Sequence, residues 1–159
     1  MKILVVSDTH GRIGNYMECI RKVAPIDMLI HCGDIEGQEE EIKEMAGCET
    51  HIVSGNNDYF SALPREDEFM IGSYRAFLTH GHGYGVSMGL DRLVEEAEAR
   101  GADIVLFGHT HRPVNEKIGN VRVLNPGSLS YPRQEGRDPS YIVIEFDQHG
   151  KLFSGISYL

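Results

Sequence analysis

The run Lys2-Ile-Leu-Val-Val-Ser-Asp-Thr-His10 decides how this chain is read. Its first half is short, continuous and β-branched, the pattern of a buried strand. Its second half turns polar at once and ends in Asp8-x-His10. Working outward, the same arrangement recurs. Met28-Leu-Ile-His31 is a second apolar strand that runs into Gly33-Asp34, and His51-Ile-Val-Ser54 runs into Gly55-Asn-Asn-Asp58. Arg75–Thr79 leads to His80-Gly-His82, Ile104–Phe107 to Gly108-His-Thr-His111, and Val121–Leu124 to Asn125-Pro-Gly-Ser128. Sites in α/β sheets form just beyond the carboxyl ends of strands. Six motifs so placed converge on one rim, and their glycines let backbone approach whatever the rim holds.

The intervening segments read as helices and hairpins. Ile13, Met17, Ile20 and Ala24 recur at helical spacing, and Pro25 ends that helix. Gln38–Met45 is a Glu-rich helix stopped by Gly47, and Leu90, Leu93, Val94 and Ala97 form an apolar stripe closed by Arg100-Gly101. Gly72-Ser73 turns Phe69–Ile71 back into Arg75–Thr79. Gly119-Asn120 joins Val114–Ile118 to Val121–Leu124, and a turn containing Gly150 joins Tyr141–Phe146 to Leu152–Ile156. Early strand–helix alternation followed by hairpins predicts an α/β sandwich with mixed sheets. With 159 residues and no linker or repeat, a single domain over 1–159 is expected.

Composition narrows the function classes. Hydrophobic residues at 41% and charged residues at 25% sit near the soluble globular average, which excludes disorder, collagen and coiled coil. Lys+Arg 15 against Asp+Glu 24 leaves 15 − 24 = −9, a surface that repels nucleic acid and anionic membranes at long range. A small phosphate substrate remains admissible, because a local metal site reverses the field. Cys19, Cys32 and Cys48 show no CxxC spacing, so reduced thiols in a cytoplasm are expected. Ile3–Val6 is too short an apolar run for a signal peptide. No run reaches the roughly 18 apolar residues of a membrane span.

The rim offers carboxylates (Asp8, Asp34, Asp58), imidazoles (His10, His80, His82, His109, His111) and amides (Asn56, Asn57). Oxygen plus imidazole without thiolate suits Mn²⁺, Fe, Ni²⁺ or Zn²⁺ rather than a dedicated Mg²⁺ or Ca²⁺ cage. There are more donors than one tetrahedral ion needs. Two ions sharing a carboxylate would use them, and ions about 3.5–4 Å apart can activate water for an in-line phosphoryl displacement. Residue chemistry leaves open the choice between Asn56 and Asn57, and between His80 and His82.

Asp8-x-His10, Gly33-Asp34, Gly55-Asn56-x-Asp58, His80 and Gly108-His109-x-His111 together resemble the ordered motifs of the calcineurin-like metallophosphoesterase superfamily. The short chain, the His-Gly-His at 80–82 and the Asn-Pro-Gly-Ser at 125–128 resemble its small YfcE-type phosphodiesterase branch. The resemblance spans Asp8 to beyond Ser128. It implies a layered α/β/β/α sandwich of two mixed sheets flanked by helices, with the metal site at strand C-terminal ends. It also assigns Asp8, His10 and His111 to one ion, Asn56, His80 and His109 to a second, and Asp34 to both. The implied activity is hydrolysis of small phosphodiesters by a metal-bridging hydroxide, with manganese foremost and nickel, iron or zinc as alternatives.

The chain departs from the superfamily pattern in two places. Many members carry His after the metal-binding Asn; here Asn57 stands there and cannot act as an acid. His82 is the candidate proton donor, with Asn57 or a water as the other groups that could assist the leaving group. After Asp34, Ile35-Glu36-Gly37 replaces the Asp-Arg-Gly of protein Ser/Thr phosphatases, which argues against that activity. The competing readings are a protein-interaction scaffold of the same superfamily with little activity, a phosphomonoesterase using the same site, and an amidohydrolase. A homo-oligomer is compatible with an open rim.

The remaining polar residues have structural readings. Asp58 orients a ligand rather than being one. His31 is a hydrogen-bonded core histidine, and His51 and His149 are surface or turn residues. Asn125 and Ser128 hold loop backbone, and Met17, Met45 and Met88 pack in the core or at the rim. Arg12, Arg112 and Arg133 lie near motifs and can pair with substrate oxygens.

Overall fold

The computed structural model describes residues 1–159. Ten strands and three helices follow in the order β1 (Lys2–Val6), α1 (Gly14–Val23), β2 (Met28–His31), α2 (Glu39–Ala46), β3 (Glu49–Ile52), β4 (Glu66–Ile71), β5 (Tyr74–Thr79), α3 (Asp91–Ala99), β6 (Ile104–Leu106), β7 (Pro113–Ile118), β8 (Val121–Pro126), β9 (Ser140–Phe146) and β10 (Leu152–Tyr158). One 3₁₀ turn, His82–Tyr84, lies between β5 and α3. Two five-stranded mixed sheets result, ordered β10-β9-β1-β2-β3 and β4-β5-β6-β8-β7. In the first, β1, β2 and β3 are parallel and β9 is antiparallel to β1. In the second, β5, β6 and β8 are parallel, edged by antiparallel β4 and β7.

Strand period two builds the layers. Along β1, Ile3 and Val5 face the second sheet, where Ile71, Ala76, Leu78, Ile104, Leu106 and Leu124 meet them. Leu4 and Val6 face the other way and pack on Tyr16, Cys19 and Ile42 of α1 and α2. Phe77, Val105 and Val123 turn outward from the second sheet onto Leu93, Val94 and Ala97 of α3. The layer order is therefore helices, sheet, sheet, helix, as the sequence pattern implies. No helix is long and apolar enough to cross a membrane.

Several details differ from the sequence reading. The buried face of α1 is Tyr16, Cys19 and Val23, one residue round from the expected Ile13, Met17, Ile20 and Ala24 stripe. Tyr16 sets that rotation, since its hydroxyl donates to the Ile42 carbonyl at the foot of α2 (2.9 Å). Met17 and Met88 are exposed rather than packed. The third strand begins two residues before His51 and ends at Ile52. His51 is stacked flat on Phe69 and bonded to Asp67 and Glu49, so it ties β3 to β4 instead of standing free.

The parallel strands β1, β2, β3, β5, β6 and β8 end on one rim. Backbone pairing continues past the end of β1: Asp8 N–H donates to Gly33 O (3.0 Å), His10 N–H to Asp34 O (2.9 Å) and Gly11 N–H to Ile35 O (3.0 Å). The first two motifs are thereby locked to each other before any side chain is considered.

Candidate metal centre

The rim brings together all seven residues expected to bind metal. Asp8 is fully buried. Its Oδ2 accepts from Ser7 Oγ (2.6 Å) and from the His109 backbone N–H (3.2 Å). Its Oδ1 is buried and has no hydrogen-bond donor. Instead it faces His111 Nε2 at 3.1 Å, His10 Nε2 at 3.7 Å and His80 Nε2 at 4.0 Å. Asp34 Oδ2 lies between two of these rings, 3.7 Å from His10 Nε2 and 3.5 Å from His80 Nε2.

The outer nitrogen of each ring fixes which tautomer points inward. His80 Nδ1 sits 2.7 Å from the Cys32 carbonyl and His111 Nδ1 sits 2.7 Å from the Tyr131 carbonyl. A carbonyl only accepts, so both Nδ1 atoms carry a proton, and in the neutral rings both Nε2 lone pairs face Asp8 and Asp34. His10 Nδ1 is held likewise by Glu36 Oε1 at 2.8 Å. His10 Nε2 and His111 Nε2 then face each other at 3.3 Å, lone pair to lone pair. On the other side Asn56 Oδ1, itself an acceptor, lies 3.0 Å from His80 Nε2, and it can accept from His109 Nδ1 at 2.9 Å. Acceptors converging on acceptors repel unless positive charge lies between them. Two groups meet the spacing for holding one ion each: Asp8, His10 and His111, and Asp8, Asp34 and His80. Donor chemistry and the orphaned Asp8 oxygen both fit divalent metal at this rim.

Titration trends carry the same message. Burial opposes charge on His10, but the nearby Asp8 and Glu36 carboxylates outweigh that and raise its pKa to about 9, so a proton holds the place a metal ion would take. Burial likewise opposes charge on Asp8 and Asp34; His10 and His111 nonetheless hold Asp8 low, and His80 holds Asp34 low. The pocket is built to keep carboxylates ionised beside a cation.

Backbone strain is concentrated here. Seven non-glycine residues have positive φ, and five are Asp8, His10, Asp34, His109 and His111. The other two, Glu36 and Arg137, flank the same rim. Each such conformation costs on the order of 1–3 kcal/mol and persists only where its surroundings over-determine it. Two glycines make room: a Cβ on Gly55 would collide with Asp34 Oδ1, and one on Gly108 with Ser7 Oγ and Asp8 Oδ2.

The supporting residues take definite positions. Asp58 is no ligand; it accepts backbone N–H groups of Asp34, Ile35, Glu36 and Gly55 at 2.7–3.3 Å. Asn57 points at Asp34, giving its backbone N–H to Oδ1 and its Nδ2–H to Oδ2, both at 2.9 Å. His82 is exposed, its ring 5.5 Å from that of His80 and 6.1 Å from that of His109. Partial desolvation by its neighbours, with a further push from His80, lowers its pKa. His31 is a core histidine, accepting from Gly33 N–H and paired with Thr9 Oγ1. Asn125 and Ser128 hold loop backbone: Asn125 Nδ2 donates to Gly108 O and Ser128 Oγ to Asp8 O. Glu36 and Ser7 act on the site without having been marked in the sequence. Glu36 lies two residues past Asp34, but only the folded loop turns it toward His10.

Comparison with known proteins bears on the whole chain. A family model described as the calcineurin-like phosphoesterase superfamily domain matches residues 1–149. The probable metallophosphoesterase YsnB of Bacillus subtilis is 34% identical over 149 residues, covering 92% of this chain and 85% of that protein. The phosphodiesterase YfcE of Escherichia coli is 28% identical over 172 aligned residues, covering 92% and 89%. The crystal structure of zinc-complexed Vps29 from Entamoeba histolytica superposes with a TM-score of 0.80 at 22% identity, covering 99% of each chain, a likeness of fold.

Proposed function

Because the chain belongs to the calcineurin-like phosphoesterase superfamily, we propose that it is a hydrolase of small phosphodiesters working with two divalent transition-metal ions, manganese first among them. The observation that carries this reading is the buried, donorless Asp8 Oδ1 inside a ring of imidazole lone pairs. The name of YfcE, a phosphodiesterase, favours diesters over monoesters. Asp8, His10 and His111 would hold one ion, Asn56, His80 and His109 the other, and Asp34 both. Residues 1–159 would form one domain. Three free cysteines, two of them buried, suit a reducing cytoplasm.

When bound, such a metal pair supplies Lewis acidity and lowers the pKa of water toward neutrality. The protein's own part is positioning. Asn57 fixes both oxygens of Asp34, and the Cys32 and Tyr131 carbonyls with Glu36 aim three Nε2 lone pairs inward. His82, on the open side of His80 and His109, is the proton donor to the leaving group. Its lowered pKa makes its imidazolium a stronger acid, though a scarcer one.

The test is a metal-resolved assay. Chelator-stripped protein receives Mn²⁺, Ni²⁺, Zn²⁺ or Mg²⁺ singly and is offered an aryl phosphodiester and the matching monoester. Faster diester turnover with Mn²⁺, abolished in Asp34→Asn together with metal binding at both positions, is the expected result. Faster monoester turnover would make it a phosphatase on the same site. Two bound ions with no turnover would point to a scaffold.

A further inference from the structure

A cleft of about 580 Å³ opens beside the metal centre. His10 and His111 line it together with Arg112, Tyr131, Arg133 and Arg137. A fourth guanidinium, that of Arg12, lies over the Tyr131 ring at 4.8 Å. Arginine ion pairs form elsewhere, at Arg75 and Arg100. None forms at this cleft, although the chain carries 24 acidic residues against 15 basic ones. The carboxylates in these segments do not neutralise it: Glu36 holds His10, and neither Glu135 nor Asp138 pairs with an arginine. The cleft thus gathers four guanidinium groups that no carboxylate pairs with.

The same backbone that supports His111 delivers these arginines. Tyr131 O accepts from His111 Nδ1, and Arg133 N–H donates to His111 O (3.0 Å). Ser128 Oγ accepts from Tyr131 N–H at 2.8 Å, and Ser130 Oγ donates to Thr9 O at 2.6 Å. Farther on, Arg137 N–H donates to Gln134 O (3.1 Å), and Arg137 itself sits at φ 52°. The backbone carrying Arg133 is thus fixed relative to His111, while the guanidinium groups themselves stand exposed. A second cavity of about 440 Å³ shares Arg112 and Arg133 and has Val86, Leu90 and Phe107 in its wall, space for the organic part of a substrate.

We propose that the Arg112–Arg133–Arg137 cleft is a specificity subsite that takes a second phosphate, one borne by the substrate beyond its scissile phosphoryl group. This rests on the phosphodiesterase reading and narrows it to diesters with an additional phosphate. Guanidinium groups suit that task because each binds phosphate oxygens in a bidentate fork.

The experiment compares thymidine 5′-(p-nitrophenyl phosphate) with its 3′-phosphorylated form on Mn²⁺-loaded protein. Wild type should prefer the phosphorylated diester. In Arg137→Gln, KM for that substrate should rise fivefold or more with kcat held. Turnover of the plain diester should stay within twofold. An equal loss on both substrates, or no preference in the wild type, overturns the proposal. If wild type hydrolyses neither compound, the phosphodiesterase reading fails, and calorimetric binding of thymidine 3′,5′-bisphosphate to chelator-treated protein decides the subsite. Binding fivefold weaker in Arg137→Gln then sustains it, and unchanged binding overturns it.

Discussion

Replacing Asp58 by Ala should unfold the candidate centre from behind, although Asp58 touches no metal position. Its carboxylate accepts four backbone N–H groups, from Asp34 (2.9 Å), Ile35 (3.1 Å), Glu36 (2.7 Å) and Gly55 (2.7 Å). Hydrogen bonds to a charged group are worth about 1.5–3 kcal/mol each, but this one is only partly buried, so water recovers part. Taking about 1 kcal/mol for each of the four gives about 4 kcal/mol. Released strain at Asp34 and Glu36, both at positive φ, offsets part of that by letting the loop relax away from its working shape. A net loss of about 3 kcal/mol would lower Tm by roughly 6–12 °C for a chain of this size. Asp58→Asn keeps one acceptor oxygen and turns an NH₂ toward the remaining donors, so it should lose about half as much. Thermal melts in chelator isolate the effect from metal binding, and metal content on reloading reports the displaced Asp34. An Asp58→Ala protein that melts within 2 °C of wild type and reloads fully would refute the reasoning.

Two further outcomes follow from the geometry. Burial lowers His31 from 6.5 to about 4, so it is neutral in the fold and titrates more readily when unfolded. Its stabilisation is complete above pH 6.5 and is lost as pH falls toward 4, about 2.5 kcal/mol between pH 7.5 and 4.5. Denaturant titrations in chelator at those two pH values should show that decrement in wild type and lack it in His31→Gln; an identical decrement in both would reject the assignment. Gly55→Ala places a methyl against Asp34 Oδ1. Metal stoichiometry after reloading, by elemental analysis, should drop for both ions, and retention of two ions per chain would show that Asp34 moves freely.

The rim was legible in the sequence because its signal is local: an apolar strand followed at once by Asp, His or Asn, six times over. The fold class followed from the same pattern plus the hairpin turns. The face of α1 was not legible, since Ile13-Met17-Ile20 and Tyr16-Cys19-Val23 both satisfy helical periodicity. Only the tertiary bond from Tyr16 to Ile42 chooses between them. His51 failed similarly, its partners Phe69 and Asp67 lying on a strand of the other sheet. Within the site the residue types were readable and their orientation was not. The inward lone pair of His80 depends on the Cys32 carbonyl, and that of His111 on the Tyr131 carbonyl. The choice of Asn56 or Asn57 likewise had no local answer. In the folded loop Asn56 Oδ1 meets His80 and His109, while Asn57 spends both its donors on Asp34.

Local propensity runs against the site more than it supports it. His10, Glu36, His109, His111 and Arg137 hold left-handed backbone that only Gly, Asn and Asp adopt at small cost, and Asp8 and Asp34 hold it beside them. Six of the seven carry or brace the acceptors that face Asp8 and Asp34, so their strain is matched by the hydrogen bonds and pairings that pin them. Arg137 braces none of those acceptors. Its carbonyl neighbours are those of its own loop, and its side chain lies in the cleft beside His10 and His111. If strain persists where function over-determines the backbone, then a seventh strained residue requires a task the metal pair does not supply. Holding a cation at a fixed distance from the scissile group is such a task. Arg137→Gly, which relieves the strain and removes the charge, separates the two accounts. Higher thermal stability with lost preference for the 3′-phosphorylated diester is the outcome this argument requires; higher stability with the preference intact would leave the strain at Arg137 without a function.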